Sequence, residues 1–173
     1  MRIYLVRHAE AQPEASQDSA RELTALGWEQ AQQSADWLCQ QVSGSTRILM
    51  SPYCRARQTA NVISQSLGCE RIEMLDDLIP DGDPLRAEQS ISLHARDDVE
   101  ELIVVSHMPL IASLQSWLEE SILTTGKAFT LAEVRAFEAS VLAPGLATLV
   151  GGYIPGEDPP CPRGDLRSLI TRR

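Results

Sequence analysis

Residues 102–105 read Leu-Ile-Val-Val, an apolar run with no polar position on either side of an extended chain. A strand with one wet face alternates in polarity; a run without alternation has to be covered on both faces. Two further runs, Ile3–Val6 and Arg47–Met50, read as strands of the same kind, and segments of helical period lie between the runs. That alternation is the pattern of an α/β protein with a mostly parallel sheet. At 173 residues the chain has room for one domain with a sizeable core.

The helices follow from spacing. Trp28, Ala31, Ala35, Leu38 and Val42 recur at three- and four-residue steps and predict one buried stripe, with Trp37 off it and partly exposed. Ala56, Ala60, Ile63 and Leu67 predict a second stripe, stopped by Gly68. Pro109 suits a first helical position, and Leu110, Leu114, Trp117 and Leu118 continue a third, with Ser106 placed to cap it. Arg71–Leu75 reads as a short strand, Asp76–Pro84 as an acidic loop and Leu85–Ala95 as a helix in which His94 is solvated. Glu133–Glu138 and Ala147–Tyr153 read as two late strands. The domain is expected over residues 1–154, and the stretch from Pro155, rich in Pro, Gly and charge, as a mobile tail.

Several function classes are disfavoured. A net charge of −9 argues against a nucleic-acid partner, since such proteins neutralise phosphates with surplus Lys and Arg. No apolar stretch approaches the roughly 20 residues of a membrane span. The amino terminus lacks a signal peptide's apolar region, so a cytoplasmic location is expected. Cys39, Cys54, Cys69 and Cys161 are widely spaced, which favours reduced, mostly buried thiols over a zinc site or a disulfide framework.

Polar chemistry collects where the apolar runs stop. Ile3–Val6 is followed by Arg7-His8, Arg47–Met50 by Ser51-Pro52-Tyr53-Cys54-Arg55, and the Leu-Ile-Val-Val run by Ser106-His107. Ligands of parallel α/β sheets bind beyond the carboxyl ends of strands, so two of the chain's three histidines would meet two arginines at one sheet edge. This set suits phosphoryl transfer through a phosphohistidine. Arginine grips two oxygens with a planar fork and stays charged, and a nucleophilic histidine must be neutral on the attacking nitrogen. The strand ends carry no paired carboxylates for Mg²⁺, and neither metal nor cofactor is expected.

The segments IYLVRHAEA, SPYCRARQTA and IVVSHMP together resemble the histidine phosphatase superfamily, the phosphoglycerate mutase-like fold, in order and spacing over roughly residues 1–153. The resemblance implies a single-domain three-layer αβα sandwich with its active site at the carboxyl ends of the strands. It also implies His8 as nucleophile, with Arg7, Arg55 and His107 gripping the phosphoryl oxygens and the amides opening the helix after Arg47–Met50 adding to the anion site. Arg57 would face away. The sequence departs from the family at Ala9, where Gly is usual; Ala is harmless there if its φ is negative.

Only 47 residues, 58 to 104, separate Arg57 from Val105, too few for a large lid besides a strand and a helix. An open site suits a phosphate on a protein surface. With the segment Asp18–Thr24 and the Pro-Asp-Gly-Asp loop, the chain resembles the SixA-type phosphohistidine phosphatases. The substrate implied is a phosphohistidine on a phosphorelay or phosphotransferase-system protein, with phosphate ion as product. An imidazole protonated on its far nitrogen leaves as a neutral ring, so a general acid matters less than for an alkoxide. Among Glu10, Asp18 and Asp81, Asp18 is the candidate proton shuttle; Arg21 is a candidate secondary substrate contact. Two alternatives stand beside this: a phosphomonoesterase acting on small esters, and a catalytically silent phosphoprotein-binding module.

Overall fold

A computed structural model describes residues 1–95 and 98–157. Six strands form one sheet in the order β3-β2-β4-β1-β5-β6. They are β1 (Arg2–Arg7), β2 (Thr46–Met50), β3 (Ile72–Met74), β4 (Glu101–Ser106), β5 (Val134–Glu138) and β6 (Thr148–Tyr153). The first four are mutually parallel, and β5 and β6 add an antiparallel flank beyond β1. Four helices, α1 (Ala25–Gln41), α2 (Cys54–Leu67), α3 (Pro84–Ser92) and α4 (Leu110–Glu120), complete the α/β fold. None is long and apolar enough to cross a membrane.

The strand pleat divides the core in two. Ile3, Leu5, Leu49, Leu102 and Val104 point to one face and pack with residues of α3 and α4, among them Ala87, Ile91, Ile111 and Leu114. Tyr4, Val6, Ile48, Ile103 and Val105 point to the other, against Ala31, Ala35 and Leu38 of α1 and Ala56, Ala60 and Ile63 of α2. Hence β4 is buried along its whole length, as its unalternating sequence predicts. Each of its four central side chains, fully removed from water, contributes roughly 1.5–3 kcal/mol.

The flank β5–β6 alters what α1 covers. Trp37 is buried, its ring stacked on Tyr153 of β6 at 6.2 Å and edge-on to Tyr4, whereas Trp28 is 44% exposed. Both reverse the expectation from the stripe, because α1 packs against the sheet and also against the flank that β6 adds. The acidic loop, the end of α3, Ser106 and His94 also differ from expectation. The acidic loop contains a 3-10 turn, Asp76–Leu78, and α3 ends at Ser92. Ser106 caps no helix: its buried hydroxyl donates to the Leu78 carbonyl at 2.9 Å, tying β4 to that loop. His94 is paired rather than solvated, with Nδ1 3.2 Å from Glu73 of β3, itself paired with Arg47 of β2. The cysteines differ from expectation too. Cys39 is exposed and Cys54 and Cys69 are half-buried, all three as free thiols. Cys161, and the expected tail beyond residue 157, lie outside the described residues.

Candidate active site

Register brings the strand ends together. In the parallel ladders Arg7 pairs with Ser106 and Met50 with Val105, so His8, His107 and Ser51 each take the next step past the end of β1, β4 and β2. Main-chain bonds continue the ladders: the His8 amide donates to the Ser106 carbonyl at 3.0 Å and the Ser51 amide to the Val105 carbonyl at 3.0 Å. Because β5 runs antiparallel to β1, the residues entering it arrive at the same edge. The Arg7 guanidinium donates to the Phe129 carbonyl at 2.6 Å on that side.

Cys54 opens α2 and Arg55 follows it. Arg55 is 4% exposed and crosses to the strand ends, its Nε donating to His8 Nε2 at 3.3 Å. The helix is fastened there by Thr59, which accepts from the Ala9 amide at 3.1 Å and donates to the Arg55 carbonyl at 2.8 Å. Arg57, two positions on, is exposed, as expected. Ala9 has no left-handed backbone; the non-glycine residues with positive φ are Ser121 and Ala132 among those described. Its fully buried methyl is simply part of the core.

Both histidines are held neutral. Nδ1 of His8 lies 2.7 Å from the Ala9 carbonyl, which can only accept, so Nδ1 carries the hydrogen and Nε2 keeps the lone pair. Burial, followed by the charges of Arg55, Arg7 and Arg21, pushes the His8 pKa down to about 4, against the opposing pull of the Ala9 carbonyl. His107 sits 4.9 Å from it, centroid to centroid, and 5.2 Å from Tyr53. Burial, then His8 and Arg55, push its pKa down to about 2. Its Nε2 is 2.7 Å from the Ser51 hydroxyl, and its Nδ1 is buried without a partner. Arg7 has an unpartnered buried Nε as well. The unmatched Arg7 donor is one that an anion in this place would satisfy.

The expected carboxylates divide. Asp18, in the 3-10 turn Asp18–Ala20, reaches the site: its Oδ2 accepts from Arg55 Nη2 at 3.0 Å, its carbonyl from Arg55 Nη1 at 2.7 Å and its Oδ1 from Arg21 at 3.0 Å. Partial burial raises its pKa, the bonds from Arg21 and Arg55 outweigh that, and the carboxyl lies below its ordinary range. A carboxyl held ionised by two arginines is poorly suited to donate a proton. Glu10 instead braces the start of α1, accepting from Thr24 at 2.8 Å, and Asp81 is exposed in its loop. Arg21 stands at the rim, its Nε also bonded to the Gln12 carbonyl. Ser51 and Thr59 were not singled out as functional in the sequence, although both belong to the SPYCRARQTA segment at its two ends.

Between α2 and β4 the chain contributes only β3, a turn and α3, whose buried residues Ala87 and Ile91 join the core, so no inserted helix covers the strand ends among the described residues. Two hollows of about 790 and 870 Å³ open at the amino ends of the strands. Their size carries no chemistry: Glu101 there accepts the amides of Ser43 and Gly44, Glu138 pairs with Arg2, and no histidine lines either.

Residues 3–79 match the family model of the histidine phosphatase superfamily (branch 1). The phosphohistidine phosphatase SixA of Escherichia coli strain K12 is 32% identical over 115 residues, 66% of this chain and 71% of that protein. A SixA homolog of Haemophilus influenzae is 32% identical over 122 residues, covering 66% of this chain and 74% of its own. A solved structure of the protein histidine phosphatase SixA complexed with tungstate superposes with a TM-score of 0.80 at 28% identity, over 90% of this chain and 97% of that one.

Proposed function

Because this chain belongs to the histidine phosphatase superfamily, in its SixA-type branch, we propose that it hydrolyses phosphohistidine on a phosphorelay or phosphotransferase-system protein through a covalent phospho-His8 intermediate. The observation that carries the mechanism is the His8 ring: Nδ1 is committed to the Ala9 carbonyl, and Nε2 keeps its lone pair beside Arg55. The relatives' phosphohistidine activity and the tungstate held by one of them, an oxyanion like phosphate, support the substrate class.

In the first step the Nε2 lone pair forms a bond to phosphorus as the substrate's P–N bond breaks. The leaving imidazole keeps the electron pair and departs neutral, its far nitrogen already bearing a proton. Charge on the transferred oxygens meets Arg7, Arg55 and His107. In the second step water attacks phosphorus and the P–Nε2 bond breaks. His8 regains its lone pair, and both protons of the water leave on orthophosphate or to solvent.

The test uses a phosphotransfer domain carrying ³²P on histidine. Rapid quench should trap acid-labile label on the wild-type protein and none on His8→Ala, whose turnover should fall by more than about a thousandfold. Label transfer to His8→Ala, or its retention of turnover, would overturn the reading. Faster hydrolysis of small alkyl phosphates than of the phosphorylated domain would move the assignment to a phosphomonoesterase.

A further inference from the structure

Among the described residues Ser51 is the side chain that hydrogen-bonds the ring of His107, and its hydrogen can be placed. The hydroxyl is fully buried and, among the described residues, has two neighbours within bonding distance: His107 Nε2 at 2.7 Å and the Tyr53 amide at 3.3 Å. The amide can only donate, so it takes a lone pair of the hydroxyl oxygen. The imidazole nitrogen is then the one acceptor within reach for the hydroxyl hydrogen among the described residues. If Nε2 carried the hydrogen instead, the oxygen would accept from both sides and its own hydrogen would be buried without an acceptor, at a cost of about 1–3 kcal/mol.

We infer that Ser51 is a positioning residue that fixes the tautomer of His107, donating to Nε2 so that Nδ1 bears the hydrogen offered to the transferred phosphoryl group. The opposite tautomer would leave a lone pair on Nδ1, the ring nitrogen without a partner, in a cluster whose other members are Arg7 and Arg55. A lone pair there repels an anion; an N–H binds one. The contact of His107 with the Tyr53 ring on one side and the His8 ring on the other restricts its tilt, so the serine sets the proton and the rings set the plane. This assignment rests on the proposed phosphohistidine chemistry, in which Ser51 itself touches neither the phosphoryl group nor the nucleophile.

The experiment is long-range ¹H–¹⁵N correlation of the full-length protein with ¹⁵N-histidine, without ligand and again with orthophosphate, alongside turnover of the phosphorylated domain. In the wild type near neutral pH, Nδ1 of His107 should show the protonated shift and Nε2 the unprotonated one. Ser51→Ala should mix or invert the two and lower kcat by roughly 10- to 100-fold, while Ser51→Thr should restore the wild-type tautomer and most of the turnover. A wild-type proton on Nε2, or an unchanged tautomer in Ser51→Ala, would overturn the inference. The spectra need no substrate, so a wild type with the expected tautomer and no phosphohistidine hydrolysis would instead count against the function proposed above.

Discussion

Burial holds the His8 imidazole at about 4 and that of His107 at about 2, and two consequences differ in what they test. For the reaction, His8 as the proposed nucleophile is already neutral at pH 5 and above. Turnover of phosphohistidine should therefore be flat on the His8 side from about pH 5 to 8 and should fall as pH drops through about 4, checked by kcat/KM against pH; a rise centred near 6.5 would mean an ordinary, solvated ring. For the fold, an unfolded histidine takes up its proton near 6.5 while the folded ring refuses it until about 4. The unfolded state thus binds more protons in that window, and stability is complete above 6.5 and lost as pH falls, by roughly 1.4 kcal/mol per pH unit for each such histidine. Urea midpoints measured from pH 4.5 to 7.5 should show this slope, and His8→Gln should make it shallower; equal slopes would remove the buried-histidine explanation. Ala9 makes the contrasting case. Its methyl is fully buried and its φ is not positive, so restoring the family's glycine gains nothing sterically and costs packing and backbone entropy. Ala9→Gly should lower stability by about 1 kcal/mol and leave turnover within about threefold, by thermal melts and initial rates.

The 3-10 turn Asp18–Ala20 is held at the mouth of the site by one arginine from α2 and one from its own next residue. Its carboxylate pairs with Arg21 and Arg55, and on the proposed chemistry, in which Arg55 grips the phosphoryl oxygens, substrate and turn compete for that arginine. Asp18→Asn should weaken the turn's hold and lower the inhibition constant of orthophosphate severalfold, with phosphohistidine turnover retained. Loss of turnover by two orders of magnitude with unchanged phosphate affinity would instead make Asp18 the proton shuttle. Where elements behaved as their sequence predicts, the cause is local. The strand β4 is apolar on both faces and is covered on both, and α2 stops at Gly68 in a left-handed conformation that glycine adopts freely. Where they did not, the cause is a partner distant in the chain. Trp37 is buried because Tyr153, 116 positions later, lies on it, and His94 is paired because β3 presents Glu73 to it. The same division holds at the site. The residues His8, Arg55 and His107 are legible because histidine and arginine beyond apolar runs carry anion chemistry in their side-chain type, whereas Ser51, which follows its run just as closely, gains its meaning only when β2 and β4 are laid side by side.

At the scale of the whole molecule, a chain of net charge −9 gathers Arg7, Arg21 and Arg55 at one sheet edge. Charges beyond a Debye length of about 8 Å are screened at physiological salt, so the anion responds to this cluster rather than to the chain's overall sign. The cluster is held by the end of β1, the turn Asp18–Ala20 and the start of α2, elements that meet only in the folded chain. Orthophosphate should therefore bind the native state and not the unfolded one, and mass action must raise the melting temperature. At a concentration a hundred times the dissociation constant the gain is about 2.7 kcal/mol, which for a domain of this size is a shift of roughly 5–10 °C. Sodium chloride at matched ionic strength should give far less, because chloride carries less charge than phosphate and lacks the separate oxygens that a guanidinium fork grips in pairs. Arg55→Ala separates a local site from a general salt effect, since Arg55 is the residue that meets both His8 and Asp18. Differential scanning calorimetry of wild type and variant, each in phosphate and in chloride, should show the phosphate-specific shift in the wild type alone. A shift that survives Arg55→Ala would place the phosphate elsewhere on the molecule and detach the arginine cluster from the chemistry assigned to it.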